Sequence, residues 1–179
     1  MQGTMRAEVL AIGDELTSGL RLDTNSQWLS LRLQELGIPV LRHATVADDL
    51  AAITEAFRHA AARCDVAVVT GGLGPTADDL TRQALAAAGG VELQLDEALL
   101  RHIQQLFQSR GREMPDRNRA QAMFPVGSRP IPNPNGTAPG IEMPLPRDGG
   151  GVCRLFALPG VPAEMRQMWF ATVVPTLNG

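Results

Sequence analysis

The segment DVAVVTGGLGPTADDLT, residues 65–81, decides how this chain is expected to fold. Residues 66–69 are a continuous apolar run, which is typical of a strand buried on both faces of a parallel sheet. A turn with three glycines follows, and Thr76 and Asp79 then form the T-x-x-D pattern of a capping box at a helix start. A strand that passes through a glycine turn into a helix indicates a βαβ unit.

The preceding part of the chain alternates in the same way. An apolar run at 7–13 and the segment IPVLRHATV at 38–46 predict two more strands, and periodic patterns predict helices at 24–37, 48–64 and 76–88. Thr24 or Asn25 is expected to cap the first of these helices. Strands and helices that alternate at this spacing predict right-handed crossovers and a parallel sheet.

The second half is less regular. Helices are predicted at 96–111, 114–123 and 162–177, and short strands within RPIPN, GIEMPL and VCRLFALPG, the last two joined by an RDGGG turn at 147–151. We therefore expect one domain over residues 1–179, with a three-layer α/β/α fold, a mostly parallel sheet and a small β-hairpin extension.

The composition excludes several classes of function. Sixteen basic residues, all arginine, face nineteen acidic ones, and a net charge of −3 speaks against broad nucleic-acid binding. The absence of lysine excludes a Schiff-base enzyme and a Walker-type phosphate loop. Three separate histidines do not have zinc spacing, and the two cysteines are expected to be reduced thiols. Without a membrane-length apolar run or a signal-peptide pattern, the expected location is the cytoplasm, away from membranes.

Candidate site residues follow the predicted strands. Ligands of open parallel sheets bind at the carboxyl ends of the strands, where this chain has the loops GDELTSG, VADD, TGGLGPTADD and LPGVPAE. In the third loop, Gly71, Gly72 and Gly74 allow a tight turn whose N–H groups face an anion. The simpler interpretation, a tight turn before a capped helix, leaves Asp78 without a role.

Carboxylates beside a phosphate cradle would repel the ligand unless a divalent cation lay between them, and Mg²⁺ meets that need. Asp14 and Glu15 follow the first strand and could share this metal, or they form a solvated turn. Of Asp48 and Asp49, one is expected to cap a helix and the other to face the cleft. Weaker candidates are the loop donors Asn135 and Thr137, the turn residue Gly160, Glu164 at a helix start, and the arginines at 110, 112, 117 and 119 as partners of a diphosphate.

The motifs GDEL, TNSQ, TGGLGPTADDLT, NPNGTAPG and LPGVPAEM have the order and spacing of the N-terminal domain of the CinA family (competence/damage-inducible protein A). The chain resembles that domain over about residues 7–177. The family belongs to the molybdopterin-binding superfamily of molybdenum-cofactor biosynthesis proteins. The resemblance implies a cleft for molybdopterin or its adenylylated form, a metal-dependent pyrophosphatase activity on ADP-ribose or similar dinucleotides, and self-association as a dimer or trimer.

The resemblance also assigns residues. Gly71, Gly72, Gly74 and Thr76 match the phosphate loop, and Asp14, Glu15, Asp78 and Asp79 match the acidic positions proposed to bind metal. Further motif positions are Asn25, Asp48, Asn118, Gln121, Asn135, Thr137, Gly160 and Glu164. CinA proteins usually continue into a deamidase domain that this sequence does not contain, so deamidase activity is not expected of it.

Three functional hypotheses remain open. The first is a pyrophosphatase whose metal is held by Asp14, Asp78 and Asp79. Its catalytic residues are Glu15, as the base, and Asp79. The second is a protein that binds a molybdopterin-like or nucleotide phosphate without hydrolysing it. The third is an assembly module with a vestigial site. We rank them in that order.

Overall fold

The computed structural model describes residues 5–147 and 150–179. Its strands are β1 (Ala7–Ile12), β2 (Val40–Val46), β3 (Val66–Thr70), β4 (Leu93–Leu95), β5 (Met123–Pro125), β6 (Arg129–Ile131), β7 (Gly140–Pro146) and β8 (Val152–Leu158). Its α-helices are α1 (Asp14–Thr17), α2 (Thr24–Glu35), α3 (Leu50–Arg63), α4 (Thr81–Gly89), α5 (Glu97–Ser109), α6 (Pro162–Met168) and α7 (Val174–Asn178). A 3-10 helix spans Asp116–Ala122, and a π-helical turn, Trp169–Val173, joins α6 to α7.

The main sheet has the order β2-β1-β3-β8-β7-β6. Strands β2, β1, β3 and β8 are parallel, and β7 and β6 extend the sheet in antiparallel fashion. This confirms the predicted α/β class, the mostly parallel sheet and the hairpin extension. The chain leaves β1 for β2 on one side and then crosses to β3 on the other, so the loops after β1 and β3 separate at a topological switch point.

Apolar side chains cover both faces of the sheet, which explains why β1 and β3 are buried along their whole length. On one face, Leu10 packs with Ile53 and Phe57 of α3 and with Leu85 of α4. On the other face, a second cluster joins β1 and β3 to α2, α6 and the π-helical turn through Val9, Val68, Leu29, Leu33, Met165 and Trp169. Helices therefore form a layer on each side.

One charged pair lies at the amino end of the sheet. Glu8 of β1 is only 2% exposed, and its carboxylate accepts two hydrogen bonds from the Arg63 guanidinium at the end of α3, at 2.7 and 2.9 Å. The pair raises the pKa of Arg63, chiefly through the hydrogen bond to Glu8. It ties β1 to the end of α3.

An aromatic cluster lies where α2 meets the last helical segment. The Trp28 ring stands edge-on to Trp169 and to Phe170, with centroids 6.2 and 5.8 Å apart. The guanidinium groups of Arg32 and Arg166 lie 5.6 and 5.4 Å from the Trp28 ring centroid. Such edge-on and cation–π contacts fix the rings in place.

Several local predictions were wrong. Helix α4 begins at Thr81 and not near Thr76, because the Asp79 carboxylate turns back to its own loop and does not cap the helix. Helix α2 is capped by Asp23, which accepts from the Ser26 N–H at 2.9 Å, and not by Thr24 or Asn25. The segment predicted as a helix at 114–123 is a 3-10 helix.

The small sheet of β4 and β5 was not predicted. Each strand has only three residues, and they pair antiparallel from Leu93 with Pro125 to Leu95 with Met123. Strands β7 and β8 pair as expected, while Asp148 and Gly149 of the predicted RDGGG turn lie outside the described residues. None of the helices in the described ranges has the length and hydrophobicity to span a membrane.

Candidate functional site

A cleft of about 980 Å³ lies at the carboxyl edge of the parallel strands. It is lined by the loops that follow β1, β2, β3 and β8, together with the start of α2 and residues Gln121, Thr137 and Ala138. These are the four loops that the sequence predicts at the carboxyl ends of the strands. The cleft lies at the switch point between β1 and β3. The position is the one at which open α/β sheets bind ligands.

The glycine loop, residues 71–80, is shaped by close approach to neighbouring chain. Gly71 has a φ of +102°, and a Cβ there would collide with the Ile12 carbonyl oxygen of β1. Its N–H donates to the Leu158 carbonyl at 3.1 Å, which ties the loop to the end of β8. A side chain on Gly72 would strike the Thr81 hydroxyl. Packing alone therefore requires glycine at both positions.

Asp79 closes the loop upon itself. Its carboxylate accepts from the Gly74 N–H at 2.8 Å and from the Thr76 N–H and hydroxyl at 2.8 and 2.6 Å. Gly74 is required here because a Cβ would overlap that carboxylate. The N–H groups of Gly71, Gly74, Thr76 and Asp79 have acceptors, so the loop N–H groups without a partner in the described chain are those of Gly72, Leu73, Ala77, Asp78 and Leu80.

A buried arginine supports the loop from within. Arg82 is 2% exposed and donates to the carbonyls of Leu73 and Gly74, the latter at 3.2 Å. Burial lowers the pKa of Arg82 to about 10, and the charge of Asp79 opposes that shift. The guanidinium therefore stays charged at neutral pH. Sequence reasoning missed Arg82, because an arginine inside a predicted amphipathic helix resembles an ordinary surface residue.

Asp14 and Asp48 clamp the first two loops together. The Asp14 N–H donates to the Asp48 carboxylate at 3.0 Å, and the Asp48 N–H donates to the Asp14 carboxylate at 2.9 Å. Asp48 lines the cleft, whereas Asp14 does not. Asp49 caps α3 by accepting from the Ala52 N–H. Of Asp48 and Asp49, the helix cap is therefore Asp49 and the cleft residue is Asp48.

The cleft is rich in negative charge. Glu15, Asp48 and Asp78 all line it. The pKa of Asp48 is raised, first by burial and further by the charges of Asp14, Glu15 and Asp78, against the lowering effect of the Asp14 N–H. Across residues 5–147 and 150–179, no three His, Cys, Asp or Glu side chains are grouped closely enough to hold a metal ion by themselves.

Asn25 joins three elements at the cleft. Its side-chain N–H₂ donates to the Thr70 hydroxyl at 3.1 Å and to the Gly160 carbonyl at 2.9 Å. The start of α2, the end of β3 and the loop after β8 are thereby held together. Asn25 and Gly160 both line the cleft as predicted, and the visible role of Asn25 is to fix the loops.

The NPNGTAPG loop is held against α6 by a residue that the sequence did not single out. Asn133 is buried; its side chain donates to the Ala138 carbonyl at 2.9 Å and to the Glu164 carboxylate at 2.7 Å. Thr137 lines the cleft, but Asn135 does not, since its amide donates to Gln167. Glu164 lines the cleft as well as holding this loop.

The cation nearest the site also differs from expectation. None of the four predicted arginines at 110, 112, 117 and 119 lines the cleft; in the described part of the chain, Arg21 is the only arginine that does. Gln121 also lines it, 1% exposed, with its side-chain carbonyl accepting from Asn118 at 2.9 Å. In all, the residues predicted from the sequence that line the cleft are Glu15, Asn25, Asp48, Gly71, Gly72, Gly74, Thr76, Asp78, Asp79, Gln121, Thr137, Gly160 and Glu164.

Known proteins resemble this chain over almost its full length. A family described as "Probable molybdopterin binding domain" matches residues 8–179. CinA-like proteins of Frankia casuarinae and Citrifermentans bemidjiense are 45% and 48% identical over 97% and 98% of the chain. The chain spans only about 40% of the length of these two relatives.

Two solved structures show the same fold. The crystal structure of the protein CinA with unknown function from Thermoplasma acidophilum is 35% identical, with a TM-score of 0.85, covering 96% of this chain and 98% of that one. The tungsten cofactor synthesizing protein MoaB from Pyrococcus furiosus has a TM-score of 0.59 at 18% identity, over 99% and 98% of the two chains. At that identity the second likeness concerns the fold alone.

Proposed function

Since the chain belongs to the CinA-like branch of the molybdopterin-binding domain family, we propose that its cleft binds a nucleotide-type phosphate ligand. With a divalent cation, the protein would hydrolyse the P–O–P bond of ADP-ribose or a related dinucleotide. The observation that carries the proposal is one shared cleft. Loop amides without an internal partner and the carboxylates Glu15 and Asp78 line the same 980 Å³ space. One group of residues suits an anion and the other a cation.

The donor set suits a cation that arrives with its substrate. The carboxylates of Asp14 and Asp79 already accept hydrogen bonds from backbone N–H groups. No three acids of the described ranges form a complete metal site. Mg²⁺ is commonly bound by one or two carboxylates together with substrate phosphates and water. Asp78 would hold it here, and when bound it would polarise a phosphoryl oxygen and lower the pKa of a coordinated water.

The chain's own groups have separate roles in this proposal. The N–H groups of Gly72 and Leu73 would donate to phosphate oxygens, in a loop that Asp79 and Arg82 hold rigid. Such fixed donors stabilise charge that develops in the transition state. Glu15 is the proposed general base. Asp48 is a second candidate, because its raised pKa moves it toward the working range of a proton acceptor.

The test is product analysis of ADP-ribose incubated with the protein and Mg²⁺, Mn²⁺ or Co²⁺. We expect AMP release, and a loss of at least about a hundredfold in rate for Asp78→Asn and Glu15→Gln, in line with the contribution of acid–base groups. Glu92→Gln is the control, since Glu92 is exposed and lies outside the cleft. No AMP with any of the three metals would exclude the hydrolase.

One observation favours a second candidate, the binding of a molybdopterin-like or nucleotide phosphate without hydrolysis. Two of the acids predicted for the metal, Asp14 and Asp79, already have backbone partners. A binding protein needs only the loop N–H groups to hold the phosphate. Affinity for the phosphate ligand would therefore survive both Asp78→Asn and removal of metal by a chelator, and no AMP would be formed. Loss of binding in both conditions would count against this candidate.

A further inference from the structure

Two leucines at the mouth of the cleft are almost completely exposed. Leu20 is 86% and Leu22 is 84% exposed, and both line the cleft. Val161, on the loop after β8, lines the same cleft and is 52% exposed. Single exposed apolar side chains are normal on protein surfaces, but three of them around a polar, acidic cleft form an apolar rim where a bound ligand would cover them.

The chain that carries the two leucines is held in a defined shape. We call residues 19–23 the rim segment. The Arg21 N–H donates to the Glu15 carbonyl at 2.9 Å, and the Gly19 N–H donates to the Leu16 carbonyl at 3.2 Å. Gly19 has a φ of +77°, which favours glycine, and Asp23 at the other end caps α2. The leucines are therefore presented to solvent by an ordered turn.

The rim segment also supplies positive charge. Arg21 lies between the two leucines and lines the cleft, where it is the only arginine of the described residues to do so. The remaining charged groups around it are the acids Glu15, Asp23, Asp48, Asp78, Asp79 and Glu164. An alternation of leucine, arginine and leucine matches a ligand that has both an apolar planar part and a phosphate.

We propose that the rim segment is a nucleobase seat, in which Leu20 and Leu22 cover the face of the ring, Val161 contributes apolar surface from the loop after β8, and Arg21 meets the phosphate. The inference rests on the proposed function only in so far as the cleft must hold a phosphate ligand. It adds that the ring of this ligand is recognised by apolar contact with the rim segment. The driving force is the removal of leucine surface from water.

The experiment compares AMP with ribose 5-phosphate, which differ by the base and contain no P–O–P bond, so no turnover is needed. Dissociation constants are measured by calorimetry for the wild type, Leu20→Ala/Leu22→Ala, Arg21→Ala and the control Leu31→Ala. Leu31 is 50% exposed on α2 and lies outside the cleft. Because the two rim leucines are exposed, their removal should leave the melting temperature unchanged.

We expect the wild type to bind AMP at least about tenfold more tightly than ribose 5-phosphate, a preference that corresponds to burying part of two leucines. The double alanine variant should lose that preference with ribose 5-phosphate affinity unchanged. Arg21→Ala should weaken the binding of both ligands by a similar factor, and Leu31→Ala should change the binding of neither.

The inference is overturned if the wild type does not prefer AMP, or if the double variant keeps the preference. It is also overturned if the double variant changes only the oligomeric mass, since the leucines would then cover another protein surface. Failure of ADP-ribose hydrolysis would leave a measured AMP preference intact, so the two proposals fail separately.

Discussion

At the scale of single residues, the glycine loop shows what a sequence motif conceals. The sequence marks Gly71, Gly72 and Gly74 as a phosphate cradle, yet two of their three N–H groups have internal partners. The sequence cannot show this, because the same glycines satisfy both tight packing and ligand approach. It did identify thirteen of the residues that line the cleft. It missed Arg82 and Asn133, whose importance comes from burial.

Arg82 gives the first prediction at this scale. Arg82→Met keeps the side-chain volume but leaves the carbonyls of Leu73 and Gly74 without their donor. We expect a loss of about 2–3 kcal/mol in the free energy of unfolding, the cost of unsatisfied buried groups. Urea denaturation measures it. Arg58→Met is the matched control, since Arg58 donates to a single carbonyl and is exposed; an equal loss in both variants would contradict the assignment.

Asp48 gives the second prediction at the scale of single residues. Its pKa is raised, so the folded state favours the protonated form. The contribution of Asp48 to stability is therefore present at low pH and is lost as the pH rises through its pKa. Asp48→Asn keeps an oxygen to accept from the Asp14 N–H, and we expect it to raise the melting temperature at pH 7 by about 1–3 °C.

The rise in melting temperature caused by Asp48→Asn should shrink as the pH is lowered through the pKa of Asp48. Melting curves of wild type and variant over a pH series measure the difference. A variant that is less stable than wild type at neutral pH would show that the hydrogen-bonded clamp outweighs charge repulsion.

At the scale of elements, local sequence predicts the long regular pieces and loses the short ones. Strands β1 and β3 are mostly apolar, and helices α3 and α5 have one clearly apolar face. These four elements and α2 lie where expected. Strands β4 and β5 have three residues each and exist only because they find each other across the chain. The start of α4 was placed too early, since a capping-box pattern also suits a loop that a carboxylate closes.

The pair between β1 and α3 gives the element-scale prediction. Arg63→Ala leaves the Glu8 carboxylate buried without its guanidinium, which we expect to cost about 3 kcal/mol of unfolding free energy. Adding Glu8→Leu should recover much of the loss, because a buried pair is often replaceable by apolar side chains. Urea denaturation of the single and double variants measures both. If the double variant is no more stable than Arg63→Ala, the buried charge is not the cause.

At the scale of the whole molecule, one edge of the sheet gathers the cleft while two helical layers enclose the core. Self-association stays a prediction. Phe170 is 57% exposed beside the partly buried Trp28, and exposed aromatic surface of this kind favours contact with another protein.

We expect sedimentation velocity to show a mass of two or three chains of 19.2 kDa. Phe170→Arg should lower that mass, whereas Val126→Arg, 42% exposed in the turn between β5 and β6, should not. A wild-type protein that sediments as one chain at all concentrations would disprove the prediction.

The aromatic cluster gives the protein an optical reporter of its own. The chain has two tryptophans and no tyrosine, and both indoles belong to the same cluster. Trp28 is on the helix whose Asn25 reaches the cleft, and Trp169 follows the helix that begins beside Val161. Intrinsic fluorescence therefore comes from this corner alone, and a change in its emission colour on adding a ligand would locate the disturbance there without any label.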